Sequence, residues 1–175
     1  LQARINGYLQ LNGNKYPAQA IHRIDYETSG LVLFCKHPFF QAYCDKSMEE
    51  HHIKKDYIAL VQGHTNYKNK KIVSNIARDR HNAKKMIIHP NGKESISIFN
   101  TLKNYKDYSL IQVTILTGRK HQIRVQCASL KHPILNDSLY GGKRIDNTGL
   151  LLQSHHIQFN DIDITCPQEK RFIRK

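Results

Sequence analysis

The sequence predicts an α+β fold, in which a mixed, mainly antiparallel β-sheet is accompanied by flanking helices and loops. Residues 108–116 alternate, with Ile111, Val113 and Ile115 on one side of the chain and polar residues on the other. This period of two is typical of a strand with one buried face. Short apolar runs recur elsewhere along the chain, whereas only two segments have helical periodicity.

The other predicted strands are short. Residues 31–35 form a nearly continuous apolar run, which predicts a buried strand. Four further segments have similar apolar patterns: residues 57–61, 95–99, 150–159 and 162–164.

Two helices are predicted between these strands. The first begins at Pro38, which suits a first helical turn, and apolar residues recur at helical spacing as far as Met48. The second covers about residues 120–130, where Ile123 and Cys127 share one stripe.

The segment between the two helices includes a strongly basic stretch, residues 67–85. It carries seven Lys and Arg side chains against the single acid Asp79, and its composition predicts a loop. The sequence contains no internal repeat, low-complexity tract or linker. One domain over residues 1–175 is therefore expected.

The charge balance indicates a polyanionic partner. The chain has 27 Lys and Arg against 14 Asp and Glu, which gives a formal net charge of +13. Such an excess favours nucleic acid over other partners. No apolar run approaches the roughly 18 residues that indicate a membrane span, so no membrane partner is expected.

The cysteine and histidine patterns predict neither a metal site nor a disulfide scaffold. The four cysteines lie far apart without a C-x-x-C pair, as is typical of a protein from the reducing cytoplasm. The adjacent histidines at 51–52 and 155–156 point in different directions and lack the i, i+4 spacing of zinc ligands.

Two segments place reactive side chains at the edge of a predicted strand. Residues 22–30 read HRIDYETSG and lead directly into the apolar run, so Asp25 is a candidate catalytic carboxylate. A simple capped turn would explain the same residues. Residues 55–61 contain Tyr57, whose ring could stack on a base or simply pack half-buried in the sheet.

The third segment, residues 118–125, lies where a strand passes into a helix. Arg119, Lys120 and His121 gather donors at the helix N-terminus, where a phosphate can bind, or they form an ordinary basic surface. Arg124 follows one turn later among apolar neighbours. A buried Arg needs a carboxylate partner, which is either a structural salt bridge or a catalytic acid.

Four segments together carry a resemblance to a known family. In order they match H-R-[LI]-D-x-x-T-S-G-L, K-x-Y-x-A-L-V-x-G, G-R-x-H-Q-I-R and H-P-I-L-x-D-x-x-Y-G, at residues 22–31, 55–63, 118–124 and 132–141. This order and spacing resemble the RluA-type RNA pseudouridine synthases. The resemblance implies a pseudouridine-synthase-like catalytic domain, an isomerase that needs no cofactor or metal.

The resemblance also implies roles for individual residues. Asp25 matches the catalytic aspartate, Tyr57 the tyrosine that stacks on the flipped uracil and is a candidate base, and Arg124 the arginine that pairs with the aspartate. The aspartate can attack C1′ of the sugar or C6 of the base, or abstract a proton in a glycal route. Ile123 matches the apolar neighbour of the base.

Further residues are implied to contact RNA. Arg23 and Arg119 are expected at phosphates, and Lys120 and His121 extend that basic surface. The implied partner is a structured ribosomal or transfer RNA, bound by a cytoplasmic monomer. A binding module without chemistry would share the charge but would not need Asp25, and a glycoside-type hydrolase would need a second carboxylate near it.

The chain departs from the family pattern at several positions, of which two concern the turn at Asn136 and the start of the domain. Asn136 stands where glycine is common, and asparagine tolerates the left-handed backbone that such a turn requires. The family's earlier strand and its frequently appended S4-type domain have no counterpart near Leu1. We therefore expect residues 1–175 to be a catalytic domain that lacks both.

Overall fold

The computed structural model describes residues 1–173. The helices are α1 (Gln2–Leu11), α2 (Gln41–Glu49) and α3 (Gln122–Ser129). The strands are β1 (Gln19–Ala20), β2 (Ser29–Gly30), β3 (Phe34–Cys35), β4 (Lys54–Gln62), β5 (Lys70–Arg78), β6 (Met86–Ile88), β7 (Lys93–Asn104), β8 (Tyr108–Ile115), β9 (Leu152–Phe159) and β10 (Ile162–Thr165). None of the helices in the described range is both long and apolar enough to cross a membrane.

Eight strands form one sheet in which nearly all neighbours are antiparallel. The strand order is β10-β9-β4-β8-β7-β5-β6. The two-residue strand β2 is outside this order and pairs in parallel with β9. The strands β1 and β3 form a separate antiparallel pair. The predicted α+β class is therefore confirmed.

The central strand β4 forms the middle of the hydrophobic core. Every residue from position 55 to position 61 is buried, because β8 and β9 flank the strand and other elements cover both of its faces. The main core cluster joins Tyr57 to Ile123 and Cys127 of α3 and to the fully buried Phe99 of β7. The helix α3 thus contributes to the same core cluster as Tyr57, while its closest strands are β5 and β6.

Most of the predicted elements are confirmed. The alternating segment 108–116 is β8, and the apolar segments 57–61, 95–99, 150–159 and 162–164 lie mainly within β4, β7, β9 and β10. The predicted helices correspond to α2, which is preceded by a 3-10 turn at Pro38–Phe40, and to α3.

Two predictions are wrong, and one element was not predicted. Residues 31–35 are not one buried strand, because the chain leaves the sheet after Gly30 and only Phe34–Cys35 pairs again, with β1. The basic stretch 67–85 contains β5, whose Lys side chains are tolerated since most positions of this near-edge strand are partly or fully exposed. The helix α1 buries no residue, so it leaves little apolar periodicity to detect.

Gly30 allows the chain to approach the sheet closely where β2 joins it. Its φ is +101°, and a Cβ at this position would lie 2.1 Å from the carbonyl oxygen of Ser154 in β9. The amide of Leu31 donates to that same oxygen at 3.0 Å. Only glycine fits both the backbone angle and the space, and the contact fixes the segment that follows residue 25.

Gly30→Ala should therefore destabilise the fold. The Cβ would clash with backbone and the φ would be strained, so we expect a loss of about 2–5 kcal/mol in the free energy of unfolding, measured with urea. Gly7→Ala is the matched control, because nothing lies within 4 Å of a Cβ in α1. It should leave stability unchanged or raise it by up to about 1 kcal/mol. Equal effects of the two substitutions would contradict the close approach.

Candidate active site

Asp25 lies in a tight turn between β1 and β2. The amide of Thr28 donates to the carbonyl oxygen of Asp25 at 3.0 Å, which closes the turn, and β2 then ties the chain to β9. The carboxylate is 19% exposed and therefore reachable from solvent, although it is held at the edge of the sheet. This placement suits a catalytic group, since both ends of the turn are fixed.

Arg124 is the third residue of α3, and its side chain is only 5% exposed. Its Nε and Nη2 atoms donate to the two carboxylate oxygens of Asp137, each at 2.8 Å. Its Nη1 lies 3.7 Å from Oδ2 of Asp25, and Nη2 lies 3.8 Å from Oε2 of Glu27. Three carboxylates therefore surround one guanidinium, and the one that holds it directly is Asp137.

The charge of Arg124 is secured by these neighbours. Burial alone would lower the pKa of Arg124, but the hydrogen bonds and negative charge of Asp137, together with Asp25, raise it above its ordinary value. This permanently charged guanidinium lies 3.7 Å from the carboxylate of Asp25. The site thus pairs a buried cation with a carboxylate, a type of group that can act as a nucleophile or base.

Tyr140 packs beneath this cluster, in the 3-10 turn Ser138–Tyr140. Its ring centroid lies 5.2 Å from the guanidinium carbon of Arg124. Its hydroxyl accepts the amide of Met86 at 2.8 Å and lies 2.8 Å from Nδ1 of His121. Burial lowers the pKa of His121; Asp25 opposes this shift and Arg124 adds to it. The neutral imidazole is therefore favoured near pH 7.

The turn before α3 is fixed by Gln122. The Oε1 atom of Gln122 accepts the amide of Arg119 at 3.0 Å and the hydroxyl of Thr117 at 2.9 Å. His121 precedes the helix with a φ of 55°, a left-handed conformation that turns the chain sharply. The side chain of Arg119 donates from Nε to the carbonyl oxygen of Glu94 at 2.8 Å and is otherwise exposed.

Tyr57 is the aromatic residue that the central strand β4 contributes to the site. It is buried in β4, opposite Ser154, the same residue that Gly30 approaches from the other side. Burial raises the pKa of Tyr57 to about 12, with the charge of Asp25 adding to the shift and Ser154 opposing it. The hydroxyl is therefore protonated at neutral pH.

One cavity unites the side chains that the sequence singled out. All eight line it: Arg23, Asp25, Tyr57, Arg119, Lys120, His121, Ile123 and Arg124. Apolar side chains of Ile24, Ile115 and Leu152 complete its walls. The cavity is therefore mixed, with an apolar interior beside an ion pair and a basic rim.

The sequence analysis missed several residues that shape the site. Asp137, Tyr140 and Gln122 were not singled out, although each lies within one of the four matched segments. The carboxylate of Glu27, two residues after Asp25, also reaches Arg124. The matched segments indicated that Asp137, Tyr140 and Gln122 belong to the site region. The sequence pattern does not show which of their side chains are in contact.

The comparisons with known proteins agree on one family. A family model described as RNA pseudouridylate synthase matches residues 3–129, which is more than half of the chain. An uncharacterized RNA pseudouridine synthase of Bacillus subtilis is 38% identical over 137 residues, covering 77% of this chain and 45% of the relative. Ribosomal large subunit pseudouridine synthase D of Borreliella burgdorferi is 33% identical over 170 residues, covering 94% and 51%. The chain thus spans about half the length of the curated relatives it matches.

Solved structures support the same fold. The human RNA pseudouridylate synthase domain containing 1 superposes with a TM-score of 0.80 at 23% identity, over 96% of this chain and 76% of that one. The human RNA pseudouridylate synthase domain containing 4 gives a TM-score of 0.79 at 18% identity, over 97% of this chain and 80% of that one. At these identities the likeness shows that the fold is shared.

Asp137→Ala should destabilise the protein strongly, because it leaves the buried guanidinium of Arg124 without its direct partner. We expect a loss of about 3–5 kcal/mol in the free energy of unfolding, measured by urea denaturation. Asp25→Ala is the control, since that carboxylate is more exposed and lies 3.7 Å away. Its cost should be about 1 kcal/mol or less. A larger cost at Asp25 than at Asp137 would overturn this division of roles.

Proposed function

Because the chain belongs to the RNA pseudouridylate synthase family, we propose that it isomerises uridines in structured RNA to pseudouridine. The observation that carries the proposal is the pairing of Asp25 with the buried, permanently charged Arg124. The pair lies in a cavity that the buried ring of Tyr57 also lines. An aromatic ring and a carboxylate are what a flipped uracil and its glycosidic bond require.

The reaction rearranges bonds without a co-reactant. The bond between C1′ and N1 breaks, the uracil rotates, and a bond between C1′ and C5 forms. C5 then loses its proton and N1 gains one, so atoms and charge balance. A carboxylate is a suitable nucleophile for opening a glycosidic bond, and Asp25 has this role in the proposal. Attack at C1′, attack at C6 and a glycal route all begin from the carboxylate of Asp25.

Arg124 is proposed to hold that carboxylate in place. Its buried positive charge lies 3.7 Å from Oδ2 of Asp25. Since Asp137 holds Arg124 by two hydrogen bonds of 2.8 Å, the guanidinium has no freedom to move away from Asp25. The arrangement is fixed before RNA binds, which reduces the reorganisation needed for reaction.

Tyr57 and Ile123 are proposed to hold the detached base. Both are buried and line the cavity from opposite elements, β4 and α3. A base between them would be shielded from water, which protects the intermediate from hydrolysis. A tyrosine with a pKa of about 12 is a weak candidate for a proton acceptor at neutral pH, so we assign the ring the main role.

The rim of the cavity is proposed to bind the RNA backbone. Arg23, Arg119 and Lys120 are exposed and lie beside the opening, and His121 lies between them and Arg124. Cations at these positions would attract phosphates around the extruded nucleotide. Extrusion costs a few kcal/mol, which these contacts and stacking must offset.

The named relatives suggest the RNA. The Borreliella burgdorferi relative and a Buchnera aphidicola relative are named ribosomal large subunit pseudouridine synthases D and C. We therefore propose ribosomal RNA as the first substrate to test and transfer RNA as the second. A monomer acting in the cytoplasm completes the proposal.

Asp25→Asn should abolish pseudouridine formation while RNA affinity changes less than about threefold, because the amide keeps the shape but cannot act as a nucleophile. Turnover is measured by mapping pseudouridines in ribosomal and transfer RNA after incubation with the protein. Asp107→Asn, at an exposed position on the β7–β8 connection, is the matched control and should retain activity. Pseudouridine formation by the Asp25 variant would refute the assignment.

Substitutions of Tyr57 should separate its ring from its hydroxyl. Tyr57→Phe should keep kcat within about tenfold, because the lost hydroxyl is protonated at neutral pH. Tyr57→Ala should lower kcat by more than roughly a hundredfold, since the base loses a stacking wall and water enters. Removing this buried ring also costs about 3–5 kcal/mol of stability, so thermal unfolding must show that the variant is folded. An inactive, folded Tyr57→Phe would assign the hydroxyl a part in proton transfer.

A further inference from the structure

Tyr26 is a fully exposed aromatic residue directly beside the candidate catalytic carboxylate. It follows Asp25 in the turn that the Thr28 amide closes, and its ring makes no aromatic contact among the described residues. Single exposed tyrosines are common on protein surfaces, so exposure alone indicates nothing. What distinguishes this one is its position, on a fixed turn at the mouth of the cavity.

Tyr26 lies along a second, wider groove that continues from the catalytic cavity. The groove shares Asp25, Arg124 and His121 with the cavity, and it extends towards Lys84 in the connection between β5 and β6. Three cationic side chains that lack an ion-pair partner among the described residues also line it: Arg23, Lys84 and Lys120. A polyanion that enters the cavity would therefore pass over Tyr26.

Besides Asp25, the groove is lined by one acidic residue, Glu27, which repels an anion only weakly. The Oε2 atom of Glu27 lies 3.8 Å from Nη2 of Arg124 and is thereby partly neutralised. With Asp25 also beside Arg124, both negative charges face the same guanidinium. The three unpaired cations that line the groove are therefore available to an anion.

We propose that Tyr26 is a stacking platform for an unpaired nucleobase next to the target uridine. The proposal rests on the proposed function, because it assumes that a uridine is extruded into the cavity. Extrusion leaves the neighbouring bases without a stacking partner. An aromatic ring one residue from the catalytic carboxylate can replace the lost partner, and stacking accepts any base.

The rigidity of the turn makes this platform effective. Its backbone is held by the bond between Thr28 and Asp25 and by the approach of Gly30 to β9. The ring is therefore presented from an ordered backbone, so little conformational entropy is lost when a base stacks on it. Phosphates on either side of that base would meet Arg23 and Lys84, which line the same groove.

A tryptophan probe tests the contact directly. The chain contains no tryptophan, so Tyr26→Trp introduces a single fluorophore at the site. The probe RNA is a hairpin with a loop of uridines, and heparin serves as a polyanion without bases. Tyr8→Trp, at an exposed position on α1 outside both cavities, is the matched control.

The expected result is that the hairpin quenches the fluorescence of the Tyr26→Trp variant by about half or more, whereas heparin does not and the Tyr8→Trp variant responds to neither. Tyr26→Ala should weaken binding of the hairpin by roughly tenfold, and Tyr26→Phe should bind within about twofold of the unsubstituted chain. Equal quenching by heparin and RNA would overturn stacking, as would hairpin affinity unchanged in Tyr26→Ala. A blue-shifted emission spectrum of the free Tyr26→Trp variant would also overturn it, because it would show that protein covers the position.

Failure of this proposal is distinguishable from failure of the proposed function. If the unsubstituted chain forms pseudouridine while the fluorescence of the Tyr26→Trp variant does not respond to RNA, only the platform is refuted. If RNA quenches the fluorescence of that variant while no RNA is isomerised by the unsubstituted chain, the isomerase assignment falls, and Tyr26 is then a base contact of a binding module without chemistry rather than a platform beside a target uridine.

Discussion

The site depends on one buried positive charge. A guanidinium that is 5% exposed must be compensated, and Asp137 compensates it with two hydrogen bonds of 2.8 Å. These two hydrogen bonds join α3 to the turn at Ser138–Tyr140 and fix the direction of the remaining nitrogen of Arg124, Nη1. Asp25 occupies the position that this nitrogen faces, so the ion pair between Asp25 and Arg124 depends on a third residue, Asp137.

A second constraint brings the carboxylate to the guanidinium. The two-residue strand β2 is the parallel exception in an otherwise antiparallel sheet, and it positions the Asp25 turn against β9. The register also places Tyr57 of β4 opposite Ser154 of β9, beside the point where Gly30 approaches. Backbone pairing thus assembles the carboxylate and the aromatic wall, while side-chain pairing fixes the arginine.

Sequence patterns predicted what depends on periodicity and on local motifs. The alternation of residues 108–116 indicated a strand, and the segment at 118–125 was correctly interpreted as a strand-to-helix junction. Asn136, expected to tolerate the turn where glycine is common, has a φ of 65°. The pairing of Arg124 with Asp137 could not be predicted, because two residues 13 positions apart meet through tertiary packing. The basic composition of residues 67–85 led to the wrong prediction of a loop, because β5 is a regular strand despite its Lys residues.

In the Asp25 turn, some residues fix the position of the carboxylate, whereas another faces the solvent. Backbone contacts at Thr28 and Gly30 define where the carboxylate stands, and Glu27 reaches Arg124, whereas the side chain of Tyr26 is fully exposed and takes no part in that placement. Substitutions of Tyr26 can therefore change the surface beside Asp25 without moving its carboxylate. The surface of the candidate active site can thus vary within one residue of Asp25 at little risk to the geometry around Arg124.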